Sequence, residues 1–360
     1  MTEPSPQADQ DTLHDGIRRL MAAAPMPAVA VSVFDRAETR FSAVTGTADL
    51  TTGRPVGPHD WWDLASVTKT LVTLPEVLAH LDLDSPLADA WPPARPFPVG
   101  RATVGQLLSH QAGLPAVRQF FRTAATRDEI VAQAVATPLV REPGSGAEYS
   151  DLGFLLLGEA VQDHTGLSLA ELAQQRSGLR FGPAPGPAVA TERCGWRARV
   201  VVGEVHDENA HAMGGIAGQA GAFGTLALVT AAAQAWLAGT VLPAHLHRAA
   251  TRCWARNAAD ERFGLGWWLP PTRGIGGPAT GEGSFGCSGF VGNRIWLEPA
   301  RGYGVVVLSN RVHPSRDNPE PFRQWCADLL ESVATERKGT FTTHSDVKVP
   351  FLRAGLRTSS

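Results

Sequence analysis

Two scarce residue types mark the chemistry of this chain. Lysine occurs only at Lys69, Lys338 and Lys348, so arginine supplies 29 of the 32 basic residues and Lys69 is the sole lysine before residue 338. A composition this biased keeps an amine where a guanidinium will not serve, and accepting a proton is the clearest such role, since arginine does not give its proton up. Ser66 stands three residues upstream, within Asp63-Leu64-Ala65-Ser66-Val67-Thr68-Lys69-Thr70-Leu71. On a helix, positions i and i+3 share a face, so the amine would stand over the hydroxyl as the base of a serine nucleophile. Spacing alone does not decide this, because Ser345-Asp346-Val347-Lys348 repeats it in a polar tail. Ser66, by contrast, opens an apolar helical run (Val67, Leu71, Val72, Leu74), which puts it where backbone N–H groups stabilise developing negative charge. An N-cap serine followed by a surface lysine is the structural alternative.

Tyrosine is scarcer still, with Tyr149 and Tyr303 only. Tyr149 lies in Glu148-Tyr149-Ser150-Asp151-Leu152-Gly153-Phe154, after the turn Pro143-Gly144-Ser145-Gly146. A phenol, with an ordinary pKa of about 10, becomes a base near neutral pH only beside a cation, and Lys69 would be that cation. The alternative is a tyrosine packed on the helix that carries Leu155, Leu156 and Leu157. His206, Asp207, Glu208 and His211 cluster, but their spacing is not that of a helical zinc motif and no third ligand is evident, so a structural loop is expected and no metal. The glycines of Met213 to Gly224 lack a following Gly-Lys-Ser/Thr and the dinucleotide-binding spacing, which leaves a loop entering a buried helix at about 225–238.

These residues must be positioned by elements drawn from the whole chain. Residues 9–24 read as helix, and 28–35 with 39–47 as a β-hairpin turning at Asp35-Arg36-Ala37-Glu38. From Ser66 to about 250 the pattern is mostly helix and loop, broken by proline-rich pieces at 91–98 and 183–187. Residues 263–269, 284–290, 293–298 and 303–309 read as successive antiparallel strands, and 319–337 as a closing helix with Phe322, Trp325, Cys326, Leu329, Leu330 and Val333 on one face. The fold class is therefore α+β: an antiparallel sheet built from both chain ends, flanked by terminal helices, with a mainly helical region inserted. The expected division is a flexible 1–14, a sheet region of 15–62 with 260–337, a mainly helical 63–259, and a polar tail 338–360. At 360 residues, 43% apolar and 19% charged, the chain can bury a large core. A net charge of −3 gives no electrostatic case for nucleic acid or an anionic membrane. Four widely spaced cysteines, Cys194, Cys253, Cys287 and Cys326, point to free thiols. The acidic N-terminus and the prolines Pro25 and Pro27 make a poor signal peptide, so a cytoplasmic location is expected. Nothing here reads out an oligomeric state.

Ser66-Val67-Thr68-Lys69, then Tyr149-Ser150-Asp151, then Gly286-Cys287-Ser288-Gly289 before two final strands, resembles the serine β-lactamase and penicillin-binding-protein superfamily, specifically its class C-like esterases and hydrolases. Leu107 to Pro115, His206 to Ala210 and Val307 to Arg311 are similar to that family too, and the resemblance runs from about residue 15 to 335. It implies a β-lactamase/transpeptidase-like fold and an acyl-enzyme mechanism without cofactor. Ser66 would attack a carbonyl, Lys69 and Tyr149 would share the proton, and the N–H groups of Ser66 and Phe290 would form an oxyanion hole beside Cys287, Ser288 and Gly289. Cys287 replaces the family's usual Lys or His. Losing that cation weakens carboxylate recognition and argues for small neutral esters or amides, with weak β-lactam hydrolysis as a side activity. Asp151 stands where class C enzymes carry asparagine; a carboxylate there favours the Lys69 ammonium and makes Tyr149 the operating base. A D-amino-acid peptidase or carboxypeptidase is the rival within enzymology, and a catalytically silent ligand-binding relative the rival outside it.

Overall fold

In the computed structural model, which describes residues 6–271, 276 and 280–336, the apolar run after Pro27 becomes β1 (Ala28–Asp35), buried at every position. A strand covered on both faces should read as a continuous apolar run, and Ala-Val-Ala-Val-Ser-Val-Phe does. β1 pairs antiparallel with β2 (Thr39–Asp49), which continues into β3 (Arg54–Pro55). Four short strands lie in the middle of the chain: β4 (Trp62–Asp63), β5 (Arg180–Phe181), and the hairpin β6 (Ala190–Cys194) with β7 (Arg199–Val202). β8 (Ala222–Gly224) joins β4 and β5 in a small sheet. The late strands are β9 (Ala255–Arg256), β10 (Arg262–Phe263), β11 (Trp268–Leu269), β12 (Phe285–Gly289), β13 (Asn293–Glu298) and β14 (Tyr303–Ser309). Among the described residues the main sheet runs β3-β2-β1-β14-β13-β12-β11-β10-β9, so the first and last long strands meet at its centre, with Val29 opposite Ser309.

Alternation along these strands divides the core. Val29, Val31, Val33, Val305 and Val307 face α1 (Pro6–Ala22) and the closing helix, meeting Ile17, Met21, Phe322, Trp325 and Leu329. Ala30, Phe34, Val306 and Leu308 face the helical region. A one-residue slip would exchange the two sets, so register is fixed by burial on both sides. The helical region comprises α2 (Leu74–His80), α3 (Leu87–Ala90), α4 (Val104–Leu108), α5 (Arg127–Val135), α6 (Asp151–Thr165), α7 (Leu169–Ser177), α8 (Glu208–Ala212), α9 (Leu226–Ala238) and α10 (Ala244–Thr251). The closing helix is α11 (Glu320–Glu336), whose Trp325 Nε1 donates to Leu20 O at 2.8 Å. Between α2 and α7, the buried Glu76 carboxylate takes both Arg176 Nε and Nη2 in a two-pronged ion pair, on the wall of a groove of about 890 Å³.

The structure is the mixed helix and antiparallel sheet expected, with differences of detail. Residues 263–269 are not one strand: Gly264 N donates to Trp267 O at 2.8 Å, and Gly266 takes a φ of +72°, so the chain turns back and forms β10 and β11 instead. The β6–β7 hairpin falls in the region expected to be mostly helix and loop. α1 begins at Pro6, inside the segment expected to be a flexible N-terminus. The tail 338–360, with Lys338 and Lys348, lies outside the described residues. No helix among the described residues is long and apolar enough to cross a membrane.

Candidate active site

Ser66 is presented by a strained turn. Ala65, immediately before it, has a φ of +46°, uncommon for a residue with a side chain. The turn is held from below by Asp63: Oδ1 accepts from Ala65 N at 2.7 Å, Oδ2 from His206 N at 2.6 Å, and its carbonyl accepts from Asn293 Nδ2 at 2.7 Å. One buried aspartate thus ties the Ser66 turn to β13 and to the His206 loop. Burial outweighs these bonds and raises the Asp63 carboxyl above its ordinary range, with nearby His206 the main opposing influence.

After Ser66 the chain enters a helix whose Lys69–Thr73 segment is wound wide, with the Leu74 N–H reaching back to Lys69 O. Pro75 follows at once. It has no N–H to give, and its ring would crowd the carbonyl four residues back in a regular helix, so a wide turn suits it. The glycine-rich segment of 213–224 is laced to this helix: Thr73 Oγ1 donates to Gly218 O at 2.7 Å, and Ala222 N donates to Thr68 Oγ1 at 3.1 Å. Gly218 is required there, because a Cβ would sit 2.0 Å from Phe154 O on α6.

The Lys69 ammonium is buried, with two hydrogen bonds and one ion pair. Nζ lies 2.8 Å from Ser66 Oγ, 2.9 Å from Gln219 O and 2.7 Å from Asp151 Oδ1. Burial alone would lower the amine's pKa, but the Asp151 charge, helped by Tyr149, overrides it and holds Lys69 above its ordinary value. Tyr149 and Asp151 arrive together at the start of α6. Ser150 caps that helix, taking Leu152 N at 3.2 Å while its hydroxyl donates to Pro115 O at 2.7 Å and its N–H to His110 Nδ1 at 3.1 Å. The His110 ring lies 4.5 Å from that of Tyr149, and Trp268 stacks on the tyrosine at 5.5 Å. Burial drives His110 down to about 3, so a neutral imidazole backs the phenol. The phenol shares the cleft lining with Ser66, and the Lys69 amine is 5.4 Å from its ring centroid.

The charge state differs from the sequence expectation. Burial raises the Tyr149 phenol; Lys69 pulls the other way, but the Asp151 carboxylate opposes it. Lys69 and Asp151 form a nearly neutral pair, so Tyr149 faces no lone cation and rests as a phenol, not a phenolate.

Ser66, Tyr149, Asp151, Ser288 and Phe290 line one cleft of about 440 Å³, together with Asp207, Glu208, Phe121, Trp268 and Arg316. Cys287 is a correction. It is buried beneath the cleft, its sulfur accepting from Thr70 Oγ1 at 3.1 Å, and burial pushes its thiol up to about 12. Neighbouring residues of a strand point to opposite faces, so Ser288 and Cys287 cannot both reach substrate. Gly289 acts through absence: a Cβ there would stand 2.5 Å from Leu64 O, so its lack of a side chain lets β12 close on the Ser66 turn. The backbone N–H groups of Ser66 and Phe290 engage no acceptor among the described residues.

The residues of the His206 cluster separate. His206 stacks on Phe290 at 5.7 Å and turns Nε2 toward Glu192 at 3.5 Å, Asp207 caps α8 through Ala210 N at 2.7 Å, and His211 faces Glu204. Glu192, Cys194 and Glu208 bring ligand-type atoms within 4.8 Å of one another, but Arg316 pairs with both carboxylates. Sequence reasoning assigned no role to Asp63, Gln219 or Arg316; a charged residue opening an apolar run was the one available signal, for Asp63.

The Beta-lactamase family model matches residues 13–327. The chain belongs to the Beta-lactamase family. Among relatives of this family member, the Bacillus subtilis (strain 168) N-acetylmuramyl-L-alanine amidase is 29% identical over 251 residues, covering 59% of this chain and 57% of the relative. A putative D-alanyl-D-alanine carboxypeptidase of Escherichia coli (strain K12) is 28% identical over 258 residues, covering 60% and 58%. The chain thus spans less than two thirds of the length of these curated relatives. In fold it is similar to a family VIII carboxylesterase, with a TM-score of 0.71 over 93% of this chain and 99% of the other at 20% identity.

Proposed function

We propose that this Beta-lactamase family member is a serine hydrolase that cleaves small carboxylic esters or amides through an acyl-enzyme on Ser66. The observation that carries the reading is the 2.8 Å contact between Lys69 Nζ and Ser66 Oγ in a cleft shared with Tyr149. Ser66 Oγ attacks the carbonyl carbon. Its proton passes to the Tyr149 oxygen as Tyr149 hands its own proton to the leaving-group oxygen or nitrogen, so a resting phenol serves and no phenolate is needed. Lys69 stays an ammonium throughout, fixed by Asp151, and lowers the energy of negative charge developing on Oγ. The N–H groups of Ser66 and Phe290 receive the carbonyl oxygen as it becomes an oxyanion. In the second half, water attacks the acyl carbon, gives its proton to Tyr149, and Tyr149 returns one to Ser66. A substrate without a carboxylate next to the reacting bond suits the inward-facing Cys287, and weak β-lactam turnover fits the same steps.

A fluorophosphonate that labels the wild-type protein and fails to label Ser66→Ala tests the nucleophile. A panel of p-nitrophenyl esters, nitrocefin and D-alanyl peptides then ranks substrates. Labelling that survives in Ser66→Ala overturns the reading. The names of the curated relatives favour a second one, a peptidase or amidase acting on D-amino-acid peptides, which the panel would show as faster turnover of the D-alanyl substrates than of any ester.

A further inference from the structure

The cleft at Ser66 does not end at Arg316. A second chamber of about 600 Å³ adjoins it, and the two share Gln119, Phe121, Glu208 and Arg316 as a common wall. Arg316 donates to Glu208 Oε1 at 3.0 Å and also pairs with Glu192, so the partition is a bridge of opposite charges over which a substrate can lie. Ser66, Tyr149 and Trp268 line the first chamber only. The second chamber is therefore reached from Ser66 only across that partition.

Its chemistry differs from that of the first chamber. In the first, Lys69 is matched by Asp151, and Arg118 donates Nη1 to Val117 O at 3.1 Å and is in no ion pair among the described residues. In the second, Arg316 is consumed by its two glutamates, while Arg122 and Arg193 are in no ion pair among the described residues. Arg122 only donates Nε to Gln119 Oε1 at 2.6 Å and stands 5.3 Å over the Phe121 ring. Beside these guanidinium groups lies Trp196, 44% exposed, with its ring 4.9 Å from that of Phe121. The indole, with Arg197 5.7 Å and His211 5.8 Å from its centroid, is still 44% exposed beside two guanidinium groups outside any ion pair, and offers apolar surface for a ring and charge for a carboxylate. Cys287 removed a cation from the strand beside the reacting bond, but two cations stand free farther out.

We propose that the preferred acyl donors are elongated, passing over the Arg316–Glu208 bridge to place a ring on Trp196 and Phe121 and a carboxylate between Arg122 and Arg193. This rests on the serine-hydrolase reading above and specifies its substrate class: arylalkanoic esters or amides with an anionic far end.

The test compares p-nitrophenyl 4-(4-carboxyphenyl)butanoate with p-nitrophenyl 4-phenylbutanoate, each normalised to p-nitrophenyl acetate in the same preparation. Wild-type kcat/KM should favour the carboxylated ester by roughly five- to twentyfold, mainly through KM, a size suited to two partly exposed charge pairs. Raising salt to about 0.5 M should shrink the preference, because exposed charges are screened within a few ångströms there. The Arg122→Glu/Arg193→Glu double variant should lose or reverse it, and Trp196→Ala should slow both ring-bearing esters relative to acetate. A wild-type ratio at or below one, or a preference that persists in the double variant, overturns the proposal while acetate turnover leaves the serine-hydrolase reading standing. Absence of any ester turnover together with absence of fluorophosphonate labelling overturns both.

Discussion

Lys69 and Glu76 are buried charges seven residues apart on one helical segment, and they are held in opposite ways. Glu76 is clasped by the planar fork of Arg176, with His80 Nε2 3.5 Å from the same carboxylate, so its charge is answered mainly by a rigid fork. Lys69 divides its contacts among a hydroxyl, a carbonyl and a carboxylate, and of these only the Ser66 hydroxyl is itself placed to react. In the proposed mechanism the fork belongs to architecture and the divided ammonium to chemistry. Buried charge alone does not mark a reactive site; what matters is whether one of its partners can change its bonding.

That contrast can be broken from either side. Lys69→Met should lower kcat/KM for a p-nitrophenyl ester on the order of 10³–10⁴-fold, an effect on turnover far larger than its effect on melting temperature, since the Asp151 side chain it leaves behind is 26% exposed. Arg176→Ala should do the reverse. It leaves the Glu76 carboxylate, 3% exposed, with only His80 beside it, and should cost about 3–5 kcal/mol in chemical denaturation while turnover per labelled active site holds. Gly289→Ala falls between the two classes, since its Cβ would meet Leu64 O at 2.5 Å; a loss of about 1–3 kcal/mol with a parallel fall in Ser66 labelling is expected.

Asp151→Asn sharpens the comparison through pH. The wild-type ammonium and phenol are both held above their ordinary values, so the rate should be level across neutral pH and fall on the alkaline side. Without the carboxylate, burial acts on Lys69 with only Tyr149 against it, and the amine loses its proton more easily. The alkaline limb of kcat/KM should then move to lower pH, and a limb that stays in place would contradict the assigned role of the pair. The smallest effect concerns the thiols: in native protein an aromatic disulfide reagent should titrate the exposed Cys253 alone, and Cys194, Cys287 and Cys326 only after unfolding.

The sheet was readable because β1 and β14 are apolar runs that a doubly covered strand requires, and because α1 and α11 carry one-sided faces to cover them. The breaks were less readable. Phe263-Gly264-Leu265-Gly266-Trp267 has the composition of a strand until the φ of Gly266 turns it, and β6 hides its pattern by burying Thr191 and Glu192 against partners far along the chain. At the cleft, Ser66 and Lys69 stood out by helical spacing and scarcity. Strand parity could have told Ser288 from Cys287, but which face looks into the cleft depends on the partner β13. The resting state of Tyr149 depends on how Asp151 divides its influence between an amine and a phenol, a matter of ångströms that spacing does not record.

The pairing of Val29 with Ser309 also governs how the molecule comes into being. A ribosome adding about 5–20 residues per second needs on the order of tens of seconds to pass from one to the other. For that time β1 has β2 on one edge, and the strand that will cover its other edge has not been made. Such distant pairing makes for slow folding and an exposed, adhesive intermediate. The hydroxyl turn at Ser66, braced through Asn293, can acquire its final shape only when translation is nearly over.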